Sequence, residues 1–244
     1  MSASPEVVAV HPHLGKALAP GRIRVDCHVH TMWSGDSTTT PGELAAAISV
    51  AGVDAVCVTD HSVVTGALAL YGELPCQVVV GQEQRTPQGE LIGLFLTEAI
   101  PAGCRSAREV ASAIHAQGGL VYVPHPFDPM RHHLDAATLE ELAGDGLVDV
   151  VEVRNAKTSL ESSNQAATEA AVRLGLSSGA GSDAHVPEAV GAVCVEMAGF
   201  EDARGFCSAL AHGRVVGHHF DPARAWHTRV VPSTRAGRRA LSSS

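Results

Sequence analysis

Aromatic side chains are scarce in this 244-residue chain, where tryptophan, tyrosine and phenylalanine make up 4%. A core built without them is largely aliphatic, and the chain has no obvious platform on which the bases of a long polymer could stack. Basic residues are also few, 17 lysines and arginines against 26 acidic residues, for a formal charge of −9. That balance disfavours non-specific adhesion to nucleic acid or anionic lipid, although a local cationic site can still attract phosphate. The six cysteines form no C-x-x-C pair, and several lie inside apolar runs where a reduced thiol packs as a small hydrophobe. No uninterrupted apolar run reaches the ~18 residues that suggest a membrane span, and no basic start with an apolar segment behind it precedes Pro20. These absences point to a cytoplasmic protein with no membrane partner. The G-x-S-x-G elbow of serine hydrolases and the phosphate-cradling G-x-x-x-x-G-K-[ST] loop are missing as well.

What the chain does have is a recurrence. Metal-type side chains follow short apolar runs again and again: His28-Val29-His30, Asp60-His61, Glu83, His125 and Asp183-Ala184-His185. A run such as 23–27, 55–59, 78–81 or 120–124 reads as a buried parallel strand, so the residues after it emerge at one end of a sheet. Ligands from several strand ends can then converge.

The pattern between these runs alternates strand with helix. After an N-terminal arm over residues 1–21, strands are predicted at 24–28, 55–59 and 77–81, followed by a hairpin-like return at 91–97. Thr40-Pro41-Gly42-Glu43 carries an N-cap, a proline at the first helical position and a capping-box glutamate, which predicts a helix over 41–51 ended by Gly52. Further helices are predicted at 106–117, 136–143, 161–174 and 202–211, and further strands at 120–123, 148–153, 178–181, 192–197 and 214–217. Repeated βα units with short connections give an α/β fold, either an open doubly wound sheet or a barrel, and ligands at so many strand ends favour the barrel. Residues 22–232 form the domain. Residues 233–244, small, polar and basic, read as a disordered tail.

Each motif admits two readings. In His28-Val29-His30 the period of two puts both imidazoles on one face of a strand, where they can grip one ion. An isolated H-x-H is weak among fourteen histidines, and His11-Pro12-His13 and His132-His133 read as chance pairs. Asp26 either orients a histidine or is a strand-end aspartate satisfied by backbone amides. His61 reads as a ligand and Asp60 as its orienter. Glu83 can bridge two cations or stand in an exposed loop, and His125, between two prolines, is a ligand or a turn histidine. One motif proves little, but the whole ordered set does not read as coincidence.

That set resembles the polymerase-and-histidinol-phosphatase (PHP) family of metal-dependent phosphoesterases. The resemblance runs over roughly residues 22 to 217 and rests on Asp26-Cys27-His28-Val29-His30-Thr31, Thr59-Asp60-His61-Ser62, Gly81-Gln82-Glu83, Val123-Pro124-His125-Pro126, Glu152-Val153-Arg154-Asn155 and Gly181-Ser182-Asp183-Ala184-His185. It implies a distorted (β/α)7 TIM-like barrel with two or three divalent ions (manganese, iron or zinc) at the C-terminal ends of its strands. It further implies one ion on His28, His30, Glu83 and Asp183, a second shared by Glu83 and His125, and a third on Asp36, His61 and His185. Asp36 and Glu90 stand where many members carry histidine. The carboxylates make the cluster harder, favouring manganese or iron over zinc. Glu90 coordinates the second ion or faces solvent.

Such a cluster suits phosphate-ester hydrolysis by a metal-activated water, which requires no protein nucleophile. Asp60 and Arg154 are the catalytic candidates. Arg154, Lys157, Arg85 and Arg131 are candidates for phosphate contact, with Lys157 and Arg131 read as ordinary solvated cations. The substrate expected is a small phosphorylated molecule, with a nucleotide or short oligonucleotide also able to enter an open mouth. Two other classes stay open: an amidohydrolase-like enzyme cleaving a C–N bond, for which no metal-bridging lysine is evident, and a non-catalytic metal-binding module.

Overall fold

Valine-rich runs and well-capped helices set the element boundaries. The computed structural model describes His11 and residues 17–222. The tail expected at 233–244 and most of the expected arm lie outside these residues. Helix α1 (Pro41–Ala51) starts with the capping box: Thr40 Oγ1 accepts from the Glu43 amide, and Glu43 Oε2 accepts from the Thr40 amide at 3.0 Å. It ends at Gly52, in the left-handed region at φ 62°. At α3 (Ala107–Ala116), α4 (Ala136–Gly144) and α6 (Ala203–Leu210) the side chains of Ser106, Asp135 and Asp202 accept from the amides of Glu109, Thr138 and Gly205, and α5 (Glu161–Leu174) closes on Gly175. Among the described α-helices, only α2 (Thr65–Leu70) lies outside those expected. It is one short stretch without a side-chain cap, so its stability comes from packing Ala67 and Leu70 rather than from a local signal.

One nine-stranded sheet carries β1 (Arg22–Val29), β2 (Ala55–Val58), β3 (Gln77–Thr86), β4 (Gly89–Leu94), β5 (Leu120–Val123), β6 (Val150–Asn155), β7 (Ser177–Gly181), β8 (Val193–Ala198) and β9 (Arg214–Gly217). Its order is β7-β6-β5-β4-β3-β2-β1-β8-β9. The sheet is a nearly closed barrel with helices outside it. β1 through β3 run parallel, as do β5 through β7, whereas β4 returns antiparallel between β3 and β5. The first half of β1 pairs antiparallel with β8, and its far end meets the chain just past β7. There the His30 amide donates to the Ala184 carbonyl at 2.9 Å and the Asp183 amide to the His28 carbonyl at 2.7 Å. This closure draws the first and seventh strand ends together.

Side chains divide by strand parity into two clusters. Val25, Cys27, Cys57, Val79, Ile92, Tyr122 and Val150 face inward, while Val29, Val56, Val58, Val78, Val121 and Val151 pack outward under the helices. Val25 and Cys27 are inner but Val29 is outer, because the register slips between Asp26 and Val29. A bulge there reverses the alternation, so His28 and His30 point into the barrel and Asp26 does not. A second slip lies between Glu152 and Arg154.

Candidate metal centre

The inward-turned imidazoles of His28 and His30 are fully buried, and their Nε2 atoms stand 3.0 Å apart. From β3, Glu83 Oε2 comes within 3.5 Å of the first and 3.2 Å of the second. From beyond β7, Asp183 Oδ1 comes within 3.6 and 3.4 Å. Donors about 2.0–2.2 Å from one shared cation stand roughly 3.0–3.6 Å from each other, so these separations fit a coordination sphere. The other ring nitrogens point elsewhere, His28 Nδ1 to Glu152 Oε1 at 3.2 Å and His30 Nδ1 to Ser34 Oγ at 3.1 Å. Lone pairs on nitrogen and carboxylate oxygen therefore converge on one point, where a cation relieves their repulsion.

The carboxylates favour positive charge at this point, whether a proton or an ion. At His28 burial opposes the charge, but Asp183, Glu152 and Glu83 override it and hold the imidazole well above its usual pKa. His30 is held well below by burial and by the neighbouring His185. Burial also opposes ionisation of Glu83 and Asp183, yet His61 and His28 around the one, and Lys157 and His28 around the other, keep both well below the carboxylate range. Negative charge is thus fixed where a divalent ion would sit.

Around this centre the remaining candidates gather. His185 Nε2 and His61 Nε2 lie 3.1 and 3.4 Å from Asp36 Oδ2, and with His30 they form one group of converging donors. His61 Nδ1 reaches Glu83 Oε2 at 3.2 Å. Burial opposes the charge on His61, but Glu83 and Asp36 raise its pKa to about 9. On the other side His125 Nε2 meets Glu83 Oε1 at 3.3 Å and Glu90 Oε2 at 3.8 Å. Glu83 belongs to two groups of converging donors, with His28 and His125 and with His61 and Glu90. It stands inside β3, not in a loop after it, because the strand runs on to Thr86 to pair with β4.

Glu90 is buried, not solvent-facing; it lies directly across from Arg85 in the β3–β4 ladder, and its Oε1 accepts from that guanidinium at 2.9 and 3.1 Å. Because one oxygen is already committed, Glu90→Gln is expected to weaken ion binding by less than about tenfold, against more than about 100-fold for His28→Ala, as read by titration with each metal. Equal occupancy in both variants would overturn the ligand assignment.

The two catalytic candidates stand elsewhere. Asp60 is fully buried, its oxygens accepting from the Thr31 amide and hydroxyl at 2.6 Å each, so it pins the end of β1 to that of β2 instead of orienting His61. Burial raises its pKa to about 6. Arg154 is turned by the β6 bulge toward Glu161 of α5, at 3.1 Å, and does not line the cavity. Asp26 takes the backbone amides of Ser182 and Gly191 at 2.8 and 2.9 Å, the structural one of its two readings.

Five residues beyond the expected ligands complete the cluster. Lys157 is buried, with Nζ 3.5 Å from Asp183 Oδ1 and 3.2 Å from His185 Nδ1, which corrects its reading as a solvated cation. The expectation for Arg131 shifts in the same direction, since it lines the cavity 3.8 Å from Asp183 Oδ2. Glu152, Asn155 and Tyr122 form a buried network beneath His28. The signals available were the Glu152-Val153-Arg154-Asn155 motif and its carboxylate inside a valine run; Lys157 sits in a loop, where no strand pattern shows which way it faces.

The cluster floors a cavity of about 160 Å³ whose rim includes Arg85, Arg131 and His132. A larger, apolar cavity of about 320 Å³ lies against α2, β3 and Phe95 and holds none of these groups. No described helix is long and apolar enough to cross a membrane.

A family model described as the PHP domain matches residues 26–83, and one described as PHP-associated matches residues 161–215. An uncharacterized protein of Methanocaldococcus jannaschii is 35% identical over 147 residues, which are 55% of this chain and 82% of that protein. Among solved structures, a two-domain protein containing a predicted PHP-like metal-dependent phosphoesterase from Bacteroides vulgatus superposes with a TM-score of 0.65 at 18% identity. That match covers 81% of this chain and 65% of the other, so the chain spans just under two thirds of that protein. An amidohydrolase from Chromobacterium violaceum, solved with bound sulfate and no metal, superposes with a TM-score of 0.55 at 16% identity, over 68% of this chain and 89% of its own.

Proposed function

This chain belongs to the PHP family, and from that premise we propose that it hydrolyses phosphate esters of small molecules at the mouth of its barrel. Membership and the cluster of imidazoles and carboxylates support a metal-dependent hydrolase. The observation that carries the finer step is the chemistry of the cavity, a floor of converging metal-type donors beneath a rim with Arg85 and Arg131. A tetrahedral dianion fits that combination of cations.

His28, His30, Glu83 and Asp183 would hold one ion, Glu83, His125 and Glu90 a second, and Asp36, His61 and His185 a third. Divalent ions there supply acidification of a water and neutralisation of charge on phosphoryl oxygens. The chain's own residues do the positioning. Lys157 and Asn155 hold Asp183, Ser34 and Glu152 orient the two imidazoles of β1, and Arg131 is within reach of an anion in the cavity. The carboxylates Asp36 and Glu90 favour manganese or iron.

The test is an assay of purified protein loaded separately with manganese, iron or zinc. The panel holds phosphomonoesters, cyclic and linear phosphodiesters, mononucleotides, short oligonucleotides and simple cyclic and linear amides. Turnover of a small phosphate ester is expected. Activity on amides alone would move the reaction to C–N hydrolysis, and activity on nothing with ions retained would overturn the proposal.

A further inference from the structure

Beneath the cluster, the buried carboxylate of Glu152 accepts four donors with two oxygens. Oε1 receives Tyr122 Oη–H at 2.9 Å and His28 Nδ1 at 3.2 Å, and Oε2 receives the His125 backbone amide at 2.7 Å and Asn155 Nδ2 at 2.9 Å. Asn155 reaches on to Asp183 Oδ2 at 3.4 Å. One side chain therefore touches the ring of one candidate ligand, the backbone of a second and, through Asn155, the carboxylate of a third. His125 needs such an anchor, because its φ of 31° is a backbone conformation that L-residues rarely adopt.

The strand beside it is built to admit the network. A Cβ at Gly179 would lie 2.4 Å from the Tyr122 ring, and one at Gly181 would lie 2.4 Å from His28 Cβ and 3.1 Å from Glu152 Oε1. The β6 bulge adds the last element. It keeps Glu152 inward, turns Arg154 away and brings Asn155 back to the same side.

We propose that Glu152 is the positioning residue of this centre, fixing His28 with its proton on Nδ1 so that Nε2 faces the ion while holding the His125 turn in place. The proposal rests on the reading that His28 binds an ion, but not on which ester, or whether any ester, is cleaved. Glutamine is the informative replacement. Its amide nitrogen must face two of the four donors, so it satisfies at most half of them at unchanged volume.

The experiment titrates zinc alone into the full-length protein and into Glu152→Gln, with nitrogen-15 spectra of the histidine rings in the zinc-loaded state. In the unsubstituted protein the His28 ring is expected to show a protonated Nδ1 and a zinc-shifted Nε2. Zinc affinity is expected to fall about 10- to 100-fold in Glu152→Gln. Gln165→Ala, exposed on α5 and outside this network, is the control and should stay within about threefold of the unsubstituted protein. A proton on Nε2 of His28 in the unsubstituted protein overturns the proposal even where Glu152→Gln does not fold. A folded Glu152→Gln with unchanged affinity overturns it too. Turnover enters neither readout, so failure of the phosphoesterase assay and failure of this proposal are distinguishable.

Discussion

Glu83→Gln is expected to strip the centre of its ions while leaving the fold in place. The side chain is buried inside β3, and its oxygens face His28, His30 and His61 on one side and His125 on the other. Glutamine keeps the volume but removes a charge and turns one acceptor into a donor aimed at nitrogens that would bind metal. Replacing groups around a metal's ligands already costs about 10- to 100-fold in affinity, so losing a carboxylate shared between ions should cost more than about 100-fold. Turnover should fall by about 10³-fold, the upper part of the range for losing one electrostatic group at a reacting centre. Elemental analysis, circular dichroism and kcat on the best substrate of the panel check this together. A folded variant with normal metal content and turnover would remove Glu83 from the centre.

The second large effect concerns a residue with no functional group at all. Gly181→Ala places a methyl 2.4 Å from His28 Cβ and 2.7 Å from the His28 backbone nitrogen, and backbone cannot swing aside as a flexible side-chain tip can. Strands β1 and β7 must separate where the barrel closes. Overpacking of this kind costs about 1–3 kcal/mol, which lowers Tm by about 2–4 °C for each kcal/mol in a chain of this size. The displacement also acts on the site, because moving a ligand by about 1 Å can cost about 100-fold in rate. Gly144→Ala, at the end of α4 with open space around its Cα, is the control and should leave both Tm and metal content unchanged within error. Thermal unfolding and metal analysis of the pair decide the matter. If Gly181→Ala matches the control, β1 and β7 do not close as tightly as described.

Much of the fold was legible because its signals are local. Thr40 with Glu43, the serine and aspartate caps and the left-handed glycines fix helix ends by hydrogen bonds within a few residues, and the valine runs fix the strands. The hairpin-like return expected at 91–97 is β4, which starts two residues earlier, at Gly89. The short α2 has no such local mark, and the extension of β3 to Thr86 exists because β4 pairs with it.

The candidate ligands were legible for the same reason: each follows a recognisable strand, and period two places His28 with His30. What those side chains do depended on contacts far apart in sequence. Asp60 was read as a partner of its neighbour His61, but its hydrogen bonds go to Thr31, just past the end of β1. Arg154 was read as a site residue and Asn155 was not, because a bulge, which only pairing with β7 reveals, exchanges their directions. Lys157 looked like a surface cation until the loops after β6 and β7 met around Asp183.

The sequence by itself therefore determined the chemical inventory, imidazoles and carboxylates at the ends of buried strands, since composition, capping and alternation are properties of short segments. Only the tertiary structure decided the division of labour: Glu83 shared between groups, Glu152 beneath His28, and Asp26 and Asp60 spent on backbone and threonine donors. Those assignments turn on register slips and barrel closure, where a shift of one residue reverses which face a side chain takes, and no segment carries that information alone.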